Sequence, residues 1–181
     1  SHFAAALGCT VPELVTRMAQ ALETPALPPL VDAGACQQIV LDEVDLSHLP
    51  IPRYHASDGG PYITSGVAVI EDPDFGRNAA FHRLMCLDER RLATRLVEKR
   101  GTHTAWEKCP EGLPVAIAIG CPIQVLLAAA MSPDKGIDEL SIAHALTPTP
   151  LVRCQTVDLA VPAAAELILE GRITHELVEE G

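Results

Sequence analysis

Strand-like and helix-like stretches follow one another along this chain without a regular strand–helix–strand alternation, and this most constrains the fold. A doubly wound parallel sheet needs that alternation. Its absence predicts an α+β domain built on a mostly antiparallel sheet or barrel. Thr10-Val-Pro-Glu13 has the form of a capping box with a proline in the first turn, and Leu14, Met18 and Leu22 recur at helical spacing, so a helix is expected near 11–22. Pro25, Pro28 and Pro29 end it, leaving residues 23–35 as an extended linker. Gln38–Val44 reads as a short strand, whereas Asp45–Pro52 is too proline-rich for regular structure. Asp58-Gly-Gly-Pro61 is a turn. Tyr62–Ile70 and Asn78–Leu87 read as two strands joined by a turn at Glu71–Gly76, making 62–87 a hairpin.

Further on, Asp88 is placed to cap a helix reaching Arg100, with Leu92, Leu96 and Val97 on its apolar side and Gly101 at its C-terminal stop. Leu113–Ile119 is a strand, 122–131 and 138–145 are helices, and Leu151–Thr156 and Ala165–Ile173 are the last strands. No G-x-G-x-x-G or G-x-x-x-x-G-K-[ST] fingerprint occurs.

Charge narrows the function. The net charge of −11 disfavours nucleic acid and anionic membranes as partners, and aromatic residues, at 3%, are too few for a base-stacking surface. No apolar run has the length of a membrane span. The six cysteines form no C-x-x-C pair; they read as reduced, mostly buried thiols of a cytoplasmic protein. Yet six of the 13 Lys and Arg residues lie between positions 83 and 100. On the expected helix, Arg91, Arg95 and Lys99 share one side; charge runs of this kind are most often solvated surface. Asn78 and Arg83 lie on the preceding strand, five residues apart, and so on opposite faces. Either they serve different subsites or a bulge realigns them. An Asn oxygen suits a hard divalent cation and an Arg fork suits a carboxylate. Glu139 opens an expected helix, where a carboxylate is favoured by the dipole alone. Glu176, Glu179 and Glu180 form an acidic tail.

Together, Asp58-Gly-Gly-Pro-Tyr-Ile-Thr-Ser-Gly66, Asp72-Pro-Asp-Phe-Gly-Arg-Asn78, Phe81-His-Arg83, Leu113–Gly120 and Val161–Gly171 resemble, in order, segments of the UbiD family of decarboxylases. Asp45–Pro50 matches the upstream segment of that family. The resemblance implies an N-terminal helix and linker over 1–35 and a domain over 36–181 that is a split β-barrel similar to flavin-reductase FMN-binding domains, with flanking helices. It implies prenylated flavin mononucleotide (prFMN) as cofactor, a divalent metal such as Mn2+, and often K+. By the same resemblance Asn78 and Glu139 are metal ligands. Thr64, Phe81, His82, Arg83, Arg95, Leu96, Val97, Arg100 and Gly101 meet the cofactor. Arg83 and Glu180 are catalytic, Arg83 also holding the substrate carboxylate.

The implied reaction is reversible, non-oxidative decarboxylation of an aromatic or α,β-unsaturated acid, with a flavin prenyltransferase supplying the cofactor and a homo-oligomer or complementary subunit as assembly. In the family pattern a second glutamate and a further domain follow; this sequence ends at Glu180-Gly181. A stand-alone cofactor-binding module or accessory subunit without turnover is therefore the alternative.

Overall fold

The computed structural model describes residues 1–180. A short helix α1 (His2–Ala6) precedes α2 (Val11–Glu23). The capping box forms as expected: Glu13 accepts from the Thr10 amide at 2.7 Å, while Thr10 Oγ1 accepts from the Glu13 amide at 3.5 Å. Residues beyond Pro25 run extended, and Leu30 bridges to Leu151.

The expected hairpin over 62–87 forms, but both of its arms are broken. Its arms are β1 (Tyr62–Ile63) and β2 (Val67–Asp72), then β3 (Gly76–Phe81) and β4 (Leu84–Cys86). β2 pairs with β3 in one sheet and β1 with β4 in another. At the break, a Cβ on Gly66 would lie 2.7 Å from Ile117 Cγ2, so only glycine lets the chain pass this close to the sheet. The break also removes the strand parity that set Asn78 and Arg83 on opposite faces.

The segment 88–100 is not the expected helix. Asp88 does accept backbone N–H groups, those of Arg90 and Arg91, but they close a turn rather than start a helix. The chain then returns as β5 (Leu92–Thr94), pairing Leu84 with Thr94 and Cys86 with Leu92. Ladder pairing therefore outweighs a helical preference worth only tenths of a kcal/mol (roughly) per residue. Gly101 opens helix α3 (Gly101–Glu107) instead of closing one. Gln38–Val44 is likewise no strand, for it has no ladder partner and Ile39 and Leu41 stay exposed; 3-10 turns flank it at Ala35–Gln37 and Leu46–His48.

The rest is β6 (Leu113–Ile119), α4 (Ile123–Ala129), α5 (Glu139–Leu146), β7 (Leu151–Arg153), β8 (Ala160–Pro162), which was not anticipated, and β9 (Leu167–Ile173). The main sheet has the order β3-β2-β6-β9, beside β1-β4-β5 and the ribbon β7-β8. Among the described residues every pairing between these strands is antiparallel, the isolated Leu30–Leu151 bridge being parallel, and no sheet closes on itself. β2 and β6 are central strands buried on both faces. Val67, Val69, Ala116 and Ala118 pack toward α4 and α5; Ala68, Ile70, Val115 and Ile117 pack toward α3. This two-sided burial explains why both read as unbroken apolar runs.

Candidate functional site

Two consecutive residues of β3 meet two consecutive residues at the start of α5. Asp138 caps α5 by accepting from the Leu140 amide at 2.9 Å, and its carboxylate receives a two-pronged contact from Arg77, through Nε at 3.0 Å and Nη2. Next to it, Glu139 Oε2 accepts from the Ala79 amide at 2.8 Å and Oε1 from Asn78 Nδ2 at 3.0 Å. Glu139 is only 4% exposed. Burial pushes its carboxyl up to about 7, against the pull of the Ala79 amide. The other end of the Asn78 amide, Oδ1, lies 3.5 Å from Thr102 Oγ1, which is 3.0 Å from His82 Nε2. Burial lowers the His82 pKa, favouring the neutral ring.

This chain of groups floors a cleft of about 640 Å³, also lined by Phe81, Arg83, Arg95, Val97, Arg100 and Gly101. A Cβ on Gly101 would sit 3.4 Å from Asn78 Oδ1, so the missing side chain keeps that oxygen accessible. Arg95, Lys99, Arg100 and Lys135 also line the cleft, and among the described residues none of the four forms an ion pair. In a chain of net charge −11, unpaired cations gathered at one cleft suit an anionic ligand. Arg91 is not among them. It pairs with Asp88 at 2.7 Å and Glu176 at 3.3 Å, so the helical alignment of Arg91, Arg95 and Lys99 is replaced by a strand and turn that bring only the latter two here.

At the edge of the cleft, Arg83 Nη2 donates to Glu180 Oε2 at 2.7 Å. The second oxygen, Glu180 Oε1, is buried and has no hydrogen-bond partner of good geometry among the described residues. Tyr62 faces the same carboxylate; partial desolvation first, then the charge of Glu180 and the hydrogen-bonding approach of its carboxylate, raise the pKa of the phenol. Two expected residues lie elsewhere. Leu96 lines a second groove of about 1410 Å³ between residues 35–49, the sheet and the 174–180 tail, a groove that also reaches Glu180 but neither Asn78 nor Glu139. Thr64 lies at the β1–β2 break, 3.2 Å from the Tyr54 hydroxyl, and does not line the cleft.

Thr102 and the Arg77–Asp138 pair escaped the sequence reading. Thr102 is legible only as the residue after Gly101. The adjacency of Arg77 to Asn78 and of Asp138 to Glu139 is the one signal for the ion pair. Asn78 and Glu139 supply hard oxygen donors that fit a divalent cation. They do not complete a shell, since among the described residues no group of three or more His, Cys, Asp or Glu side chains is arranged to hold a metal. All six cysteines are free, but against expectation only Cys121 is buried and the other five are half-buried; burial pushes Cys121 up to about 12. No helix among the described residues is long and apolar enough to cross a membrane.

The sequence over residues 30–181 matches the UbiD family model, described as the 3-octaprenyl-4-hydroxybenzoate carboxy-lyase Rift-related domain. Anhydromevalonate phosphate decarboxylase of Methanothermobacter thermautotrophicus is 43% identical over 176 residues, covering 94% of this chain and 41% of that protein. Pyrrole-2-carboxylic acid decarboxylase of Pseudomonas aeruginosa is 34% identical over 159 residues, covering 83% of this chain and 32% of that protein. Among solved structures, an evolved dimeric form of the UbiD-class enzyme HmfF from Pelotomaculum thermopropionicum, in complex with prFMN, superposes with a TM-score of 0.88 at 40% identity, covering 95% of this chain and 42% of that one. The chain thus spans about a third to two fifths of the length of these relatives. A family match over most of its residues establishes that the chain belongs to the UbiD family.

Proposed function

We propose that this chain is the cofactor-binding part of a UbiD-type carboxy-lyase, which reversibly decarboxylates an aromatic or α,β-unsaturated acid without net oxidation. The observation that carries this reading is the Arg83–Glu180 pair, with one glutamate oxygen left free, at the edge of a cationic cleft floored by Asn78 and Glu139. The cleft fits prFMN. Arg95 and Arg100 would neutralise its phosphate, Gly101 would leave room for it, and Phe81, His82 and Val97 would line its site. Asn78 and Glu139 would hold Mn2+ or a similar cation, with K+ as a further ion. Within this reading the fold is a split β-barrel of the flavin-reductase kind. When bound, the modified flavin supplies the electron sink that loss of carbon dioxide requires.

The chain's own residues orient the substrate and move the proton. Arg83 uses one guanidinium nitrogen on Glu180, and its remaining N–H donors are available to a substrate carboxylate. That contact aims the scissile bond and holds Glu180 beside the carbon that loses carbon dioxide. Glu180 Oε1, which has no hydrogen-bond partner among the described residues, would take up a proton from water and deliver it to that carbon as carbon dioxide leaves. His82 and Thr102 fix the Asn78 amide by hydrogen bonding and would so orient it as a ligand for the cation. A flavin prenyltransferase is the cofactor supplier, and a homo-oligomer or a complementary subunit is the expected assembly.

Co-expression with a flavin prenyltransferase tests the reading. The expected product is a coloured protein with bound manganese that releases carbon dioxide, or exchanges hydrogen for deuterium, on a panel of unsaturated and aromatic acids. Arg83→Ala abolishes turnover and spares binding of the phosphate; surviving activity in that variant would remove Arg83 from its role. A colourless, metal-free protein would defeat the proposal. Bound cofactor with no exchange on any acid would instead make the chain a cofactor-binding module.

A further inference from the structure

Past β9 the chain runs from Thr174 to Glu180 with no helix or strand, yet Glu180 meets Arg83 at 2.7 Å. Three contacts hold the start of this tail. Trp106 Nε1–H donates to the Thr174 carbonyl at 3.0 Å. The His175 ring stacks on the Trp106 indole with centroids 4.5 Å apart and planes at 32°, and His175 Nε2 lies 2.9 Å from the Cys109 carbonyl. Arg91 then reaches Glu176 at 3.3 Å. We propose that Trp106 and His175 are positioning residues: they dock the tail on the C-terminal end of α3 and so hold Glu180 against Arg83. This inference rests on the role proposed above for that pair.

The physical case is one of tether length. Anchored at His175, Glu180 hangs on five residues; released back to the end of β9 at Ile173, it hangs on seven. The chance of a chain end meeting a fixed point falls as about the three-halves power of tether length, here roughly twofold. Comparing the volumes within reach of extended chains raises this to about threefold. Helix α3 couples the two ends of the arrangement. Its first turn carries Gly101 and Thr102 beside Asn78, and its last turn carries Trp106 beside His175. The competing account is that Trp106 only covers the apolar cluster around Ile70 and Val115, against which it packs.

The test reads Arg83 itself, without needing turnover. In 15N-labelled chain the guanidinium Nε–H resonance of Arg83 reports its pairing, and Glu180→Gln defines the unpaired position. His175→Ala is expected to move that resonance toward the unpaired position, with a roughly two- to threefold fall in the ratio of paired to unpaired Arg83. Trp106→Phe, which keeps an aromatic ring but loses the N–H donor, moves it part of the way. Neither change shifts it further in the Glu180→Gln background. Amide resonances of β6 and β9 show that each variant is folded. In prFMN-loaded protein, His175→Ala lowers kcat roughly two- to threefold with KM unchanged. An Arg83 resonance that stays at its wild-type position in folded His175→Ala and Trp106→Phe, or that does not respond to Glu180→Gln, overturns the inference. Absence of turnover in the wild type would count against the decarboxylase reading alone, because the Arg83 resonance still decides between clamp and cover.

Discussion

Asp138→Ala tests how the metal-facing residues are held together. Asp138 performs two tasks: it caps α5, and it pairs with Arg77 with both side chains only 17% exposed. Loss of an N-cap costs about 1 kcal/mol. Stripping one partner from a fully buried ion pair costs roughly 3–5 kcal/mol, and partial exposure reduces that here to about 2 kcal/mol. The two losses share one side chain and do not simply add, so the expected destabilisation is about 2–4 kcal/mol. For a chain of this length that lowers Tm by roughly 4–16 °C. Asp138→Asn keeps an acceptor for the Leu140 amide but surrenders the charge, and should cost about half as much. Urea unfolding followed by circular dichroism measures both. Because Asp138 precedes Glu139, loosening it should also weaken Mn2+ binding by roughly tenfold, readable by electron paramagnetic resonance of the free ion. A destabilisation of Asp138→Ala below about 0.5 kcal/mol, at the level of an ordinary surface change, would refute the reasoning. So would an Asn variant as unstable as the Ala variant.

Two further outcomes follow from single side chains. Partial burial acts to raise the Glu170 pKa, but hydrogen bonds from Thr156 Oγ1 and from the Gln155 and Thr156 amides outweigh it and hold the carboxyl below its ordinary value. A depressed folded pKa adds stability above the unfolded value, and that stability is lost as pH falls through the folded value. Glu170→Gln should therefore cost about 1–2 kcal/mol at pH 7 and much less in acid, and an equal loss under both conditions in urea titrations would contradict this. Gly101→Ala should leave stability unchanged or raise it by up to about 1 kcal/mol, since Gly101 opens a helix. Its methyl group crowds Asn78 Oδ1, so FMN affinity should drop at least about tenfold; unaltered affinity in a fluorescence titration would dismiss the cradle.

Elements whose signals are local were legible. The capping box at Thr10 and Glu13 closes with atoms three residues apart, and β6 and α5 appear near their expected ends. Where local signals competed with distant partners, reading failed. Asp88 offers the same acceptor to a turn as to a helix, and the pairing of β5 with β4 decided between them. The apolar run 38–44 has strand composition but no neighbour to pair with, and β8 was too short to stand out before β7 lay beside it.

The sequence by itself determined the α+β class, most of the elements, and, through the order of its motifs, the family and a set of residues worth testing. It could not determine which of them meet. Asn78 and Glu139 are 61 residues apart, and Arg83 and Glu180 are 97 apart. Only the stacking of α5 against β3 buries Glu139 beside Asn78 and pushes its carboxyl up to about 7. Only the tertiary structure brings Arg83 to one oxygen of Glu180, while the other has no hydrogen-bond partner among the described residues. Residue type and spacing set hydrogen-bonding capacity and local conformation. Distance, burial and charge balance depend on which distant segments pack together, and the candidate chemistry rests on these.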